Sequence, residues 1–83
     1  MSRYLILCKS LTHAQRSARL LERAGITATV IRSESGLSPK GCRYAVQLQR
    51  HFDEAVQILR GSDMLAGKLF FQREDGIYEE ITR

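Results

Sequence analysis

Two segments of this chain carry apolar residues at helical spacing, and each follows a short run of β-type residues. In the first, Ala14, Ala18 and Leu21 recur every three or four positions, with Leu11 and Ala24 on neighbouring turns. In the second, Phe52, Ala55, Val56 and Leu59 do the same. Side chains three and four apart lie on one face of an α-helix, so each segment has an apolar stripe to bury. Helices this short gain most of their stability from packing rather than from propensity. A chain of 83 residues has room for one core. Both stripes must therefore share it, in a single domain spanning residues 1–83.

The runs between the helices supply the other layer. Tyr4 to Lys9 has no Gly or Pro and reads as a buried central strand. Ile26 to Ser33 contains Thr27, Thr29, Val30 and Ile31, whose β-branched side chains suit a second strand. Tyr44, Val46 and Leu48 alternate with Ala45, Gln47 and Gln49, which predicts a third strand with one apolar face. Lys68 to Arg73 reads as a fourth. Asp75-Gly76 is a turn signal, and Ile77 to Ile81 can return beside it as an extra C-terminal strand. The alternative is one irregular strand with a bulge at Gly76; the hairpin is preferred. At the helix ends, Thr12 and Gln15 fit a capping box, Gly25 and Gly61 suit termination, and Asp53 and Glu54 suit a helix start.

The resulting order is strand, helix, strand, strand, helix, strand. This is the α+β, ferredoxin-like split βαβ pattern (βαββαβ) with an antiparallel sheet. Right-handed crossovers put both helices on one face and the first and third strands in the centre. The other face is left to solvent, to a partner subunit such as a second copy, or to a ligand.

Composition narrows the function classes. No run approaches the ~18 apolar residues of a membrane span, and the start Met1-Ser2-Arg3-Tyr4 lacks the apolar stretch of a signal peptide. The expected location is cytoplasmic. Residues 1–73 hold twelve cations against five anions, whereas Glu74, Asp75, Glu79 and Glu80 make the tail acidic. Solvated surface charge is the plain reading, and an anionic or acidic partner the sharper one. The two cysteines make no CxxC, and no His/Cys cluster has metal-ligand spacing. No metal or cofactor is expected. His13 and His51 stand alone near helix starts and read as surface or capping residues.

The candidate for chemistry is Cys42. It lies at the end of the connection Ser35 to Arg43, just before the third strand. Lys40 and Arg43 favour the thiolate, which is the nucleophile, and Gly41 leaves space beside it. The plain reading is a small apolar residue at a strand start. A lone activated thiol suits a carrier of sulfur or a one-cysteine sensor rather than a dithiol enzyme. Cys8 ends an apolar run and looks ordinary. Ser10 and Thr12 could offer an anion the first helix N-terminus, but capping explains them. The tail acids read as solvated. No phosphate loop and no nucleophile elbow occurs. An RNA-binding sheet needs stacking rings on its two central strands; Leu48 stands where a second ring would be, so nucleic acid is not an expected partner.

The chain also resembles a known family. Tyr4-Leu5-Ile6-Leu7, Ser10, Thr12-His13-Ala14 and Leu20-Leu21-Glu22-Arg23-Ala24-Gly25-Ile26 are similar to the opening of small bacterial proteins described as selenium/sulfur carrier-like. The likeness continues through Ser38, Gly41-Cys42, Tyr44-Ala45-Val46 and the helix Phe52 to Leu59, with Gly41-Cys42 its sharpest point. The tail from Lys68 to Arg83 departs from it. The resemblance implies that Cys42 holds sulfur or selenium as a persulfide or selenosulfide. It also implies a sulfur- or selenium-transfer partner such as a cysteine desulfurase. A non-catalytic, dimeric interaction or regulatory module is the competing reading, and an RNA-binding domain a more distant one.

Overall fold

The computed structural model describes residues 2–33, 43–65 and 67–82. The elements run β1 (Arg3–Cys8), α1 (Leu11–Arg23), β2 (Thr29–Arg32), β3 (Tyr44–Leu48), α2 (Phe52–Gly61), β4 (Leu69–Gln72) and β5 (Tyr78–Ile81). The five strands form one sheet in the order β2-β3-β1-β4-β5, with every neighbouring pair antiparallel. The fold is thus a small α+β unit. The hairpin reading of the tail holds, since β4 and β5 pair from Leu69↔Ile81 to Gln72↔Tyr78. Because β5 extends the sheet beyond β4, the middle strand is β1 alone, with β3 and β4 beside it, rather than the β1–β3 pair expected from four strands.

Both helices lie on one side of the sheet. Ile6 and Cys8 of β1, Val46 and Leu48 of β3 and Leu69 of β4 meet Ala14, Ala18 and Leu21 of α1 and Phe52, Ala55, Val56 and Leu59 of α2. Fully burying one such leucine contributes about 1.5–3 kcal/mol. The alternation of β1 sends Leu5 and Leu7 to the other side, where they cluster with Ala45 and Phe70, flanked by Ile31 and Tyr78. That side is not open at its middle as expected: Leu5 is 1% exposed, and Leu7 and Ala45 are 0%.

The helix ends follow the local signals at some positions and depart from them at others. The N-cap of α1 is Ser10, not Thr12. Ser10 is extended (φ −154°, ψ 169°), and its Oγ accepts the His13 N–H at 3.1 Å, whereas Thr12 already lies within the helix. Gly25 takes the left-handed conformation expected after α1 (φ 84°). Gly61 instead belongs to α2, and the left-handed residue beyond it is Asp63 (φ 58°).

Candidate functional site

Antiparallel pairing gives the sheet two ends. One holds the finish of β1 and β2 and the start of β3 and β4; the other holds Tyr4, Leu48 and Gln72. Of the predicted site residues, Lys40, Gly41 and Cys42 lie outside the described residues, and Arg43 lies at the first end. Arg43 is exposed, and its carbonyl accepts the Ser33 N–H at 2.8 Å. This bond ties the finish of β2 to the start of β3, on either side of the connection that carries Cys42.

Arg43 is not an isolated cation there. Arg32 ends β2, Lys9 follows β1 and Lys68 precedes β4, and all three are exposed. Four adjacent strand ends therefore carry a positive charge. With strands ~4.8 Å apart, the row spans roughly 14 Å. Lys68 is partnered by Glu80 of β5 at 3.4 Å. Arg32, Arg43 and Lys9 make no ion pair with any described residue. The sequence contained each of these cations, but only the strand order makes neighbours of residues 9, 32, 43 and 68.

Cys8 sits at the same end and differs in environment. It points into the helix-side core, is 0% exposed, and its Sγ lies 3.5 Å from the Ile6 carbonyl. A thiol so enclosed is inert toward reagents in water. The reading of Cys8 as an ordinary core residue stands.

His13 does more than cap. Its Nδ1 accepts the Lys9 N–H at 3.1 Å, so Nε2 carries the proton and donates to the Met64 carbonyl at 2.7 Å. The ring thereby fastens the β1–α1 turn to the segment after α2. Sequence reasoning missed this link because its partners are 51 residues apart.

The opposite end is lined differently. Tyr4 stacks on Phe52 with centroids 4.4 Å apart and meets Phe71 at 4.9 Å. A cleft of about 510 Å³ opens beside the start of β2, lined by Thr27, Thr29, Gln47, Gln49, Arg50 and His51 among others. A second, of about 290 Å³, shares Gln49 and His51 and adds Asp53 and Glu54. His51 is the N-cap of α2 in the left-handed region (φ 61°), and its Nδ1 lies 3.2 Å from Glu54 Oε1. Among the described residues no three His, Cys, Asp or Glu side chains gather as a metal would require, and no helix is long and apolar enough to cross a membrane.

No model of a known protein family, no curated protein and no solved structure matches this chain.

Proposed function

We propose that this chain is a carrier of sulfur or selenium, loaded on Cys42 as a persulfide or selenosulfide. The observation that supports it is the contrast at one end of the sheet. Cys8 is sealed in the core, while the residue after Cys42 is the exposed Arg43 of a cationic row in which only Lys68 has an ion-pair partner among the described residues. Positive charge nearby lowers a thiol pKa and so raises the thiolate fraction. The Cys42 thiol would lose its proton to solvent, and its thiolate would attack the outer sulfur of a donor persulfide, such as one on a cysteine desulfurase. A new S–S bond forms on Cys42, the donor's S–S bond breaks, and the electron pair leaves on the donor thiolate. No external oxidant or reductant enters. Delivery repeats the step with an acceptor thiolate, and selenium would travel in the same way as a selenosulfide. This makes the protein a carrier rather than a true enzyme. Its working place would be the cytoplasm, where free thiols persist.

The same proposal includes a ferredoxin-like arrangement of the first six elements. Its support is that β3 lies between β1 and β2, and β1 between β3 and β4, so each helix joins two strands split by a third. On this reading β5 is an addition at the edge.

An RNA-binding reading finds less support. Stacking on a sheet needs rings on the helix-free face of the central strands. On that face β1 presents Arg3, Leu5 and Leu7, and β3 presents Ala45 and Gln47, while Tyr4 and Tyr44 pack with the helix-side core.

The test is intact mass after incubation with a cysteine desulfurase and cysteine. One added sulfur is expected, removed by reductant, retained in Cys8→Ser and absent in Cys42→Ser. A wild-type chain that stays unmodified, or an adduct that survives in Cys42→Ser, overturns the proposal.

A further inference from the structure

We infer that the outer edge of β2 is a docking site for an acidic, extended polypeptide segment, which adds to the sheet as a sixth strand. The inference does not depend on the chemistry of Cys42. It begins with the hydrogen-bond phase of the β2–β3 ladder. The Ser33 N–H bonds the Arg43 carbonyl at 2.8 Å, so that pair is a hydrogen-bonded one. Bonded and non-bonded pairs alternate along an antiparallel ladder. Ile31–Ala45 and Thr29–Gln47 are then bonded pairs, while Val30 and Arg32 lie between them. Val30 and Arg32 therefore turn their N–H and C=O groups away from β3, toward an edge that no described residue pairs with.

Edge strands are commonly protected by charge, proline or bulges. The two edges of this sheet differ in this respect. β5 carries adjacent Glu79 and Glu80, whereas β2 reads Thr-Val-Ile-Arg, with its one charge at the end. An edge whose outward ladder groups pair with no described residue, and whose side chains are β-branched, is suited to strand addition.

Charge selects the occupant. Arg32 stands at one end of the edge and Arg50 beyond the other, both exposed. Helix α1 packs against β2 and β3 and keeps Arg16, Arg19 and Arg23 exposed, with Glu22 its one acid. None of these arginines has an ion pair with a described residue. Carboxylates flanking an apolar extended stretch would meet Arg32, and the α1 arginines, on the helix face away from the sheet, add to the positive potential around it. The β2 edge of a second copy would bring like charges together and is disfavoured. The acidic β5 edge of a second copy would give a head-to-tail contact, which the self-association arm of the test below detects.

The experiment titrates the intact protein with a fluorescent peptide, Glu-Val-Thr-Val-Thr-Glu, capped at both ends and read by polarisation and by amide chemical shifts. Saturable binding is expected, with the largest shifts at Val30 and Arg32. Arg32→Glu should weaken it by roughly tenfold, the ratio that ~1.4 kcal/mol represents. Val30→Pro removes an outward N–H without touching the bonds to β3 and should abolish binding. Should that variant fail to fold, N-methylation of alternate peptide amides interrupts the same ladder from the other side. Four results would overturn the inference: no saturable shift at millimolar peptide, equal binding of a Lys-for-Glu peptide, indifference to N-methylation, or displacement of the peptide by an RNA oligomer at the same residues. Concentration-dependent self-association lost in Val30→Pro would reassign the edge to a second copy.

Discussion

Gly67 is the position where one added carbon should cost most. A Cβ built there would lie 2.4 Å from the Leu7 carbonyl oxygen, 2.9 Å from its carbon and 3.0 Å from its Cβ. Two of these three atoms are backbone, and they belong to the middle strand of the sheet, which is hydrogen-bonded on both sides. β1 cannot yield without disturbing β3 and β4 together, so the entry to β4 must move instead. That shift endangers the bond from the Leu7 N–H to the Lys68 carbonyl at 3.0 Å. Overpacking costs about 1–3 kcal/mol, and an unsatisfied buried N–H about 1–3 kcal/mol more. The Leu7 bond is strained rather than lost outright, so we expect Gly67→Ala to lose about 2–4 of those 2–6 kcal/mol in total. A domain of this size has roughly 4–12 kcal/mol to lose, at about 0.05–0.15 per residue. With a urea m-value of about 1.3 kcal/mol/M, the midpoint should fall by roughly 1.5–3 M. The control is Gly61→Ala, where an added Cβ meets nothing within 4 Å and φ is not left-handed; it should be neutral or gain about 0.4–1 kcal/mol. Amide exchange at Leu7 should accelerate only in Gly67→Ala. A Gly67→Ala midpoint within ~0.5 M of wild type, with Leu7 still protected, would refute the reasoning.

Other consequences follow from single contacts. Ser17 is 0% exposed, and its Oγ has no hydrogen-bond partner among the described residues, so Ser17→Ala should raise stability by about 1–2 kcal/mol in urea denaturation. His13→Ala removes both the acceptor for Lys9 and the donor to Met64. It should cost about 1–3 kcal/mol, and amide exchange should quicken at Lys9. Alkylation of the native protein should leave Cys8 unmodified until urea exposes it, as peptide mass mapping can show.

The elements were legible because their signals are local. The spacing of Phe52, Ala55, Val56 and Leu59 is enough to place α2, and the alternation of Tyr44 to Leu48 enough to place β3. Boundaries were less legible, because a cap depends on dihedral angles as well as residue type. Ser10 and Thr12 both carry the needed hydroxyl, and the extended backbone at Ser10 chose between them. At the candidate site, the charge of Arg43 was readable, and its row of neighbours was not. The residues from Lys40 to Cys42 remain a proposal drawn from the sequence.

The chain by itself determined the kinds of element, their order and the two apolar stripes, since periodicity is a property of consecutive residues. Tertiary structure decided which edge of the sheet is acidic and which is bare, that Cys8 is sealed, and that His13 reaches Met64. It also decided that Val30 and Arg32 direct their backbone groups outward. The physical reason is that strand pairing and ladder phase join residues distant along the chain. Their energies depend on register and on what else is buried, which no local window of sequence contains.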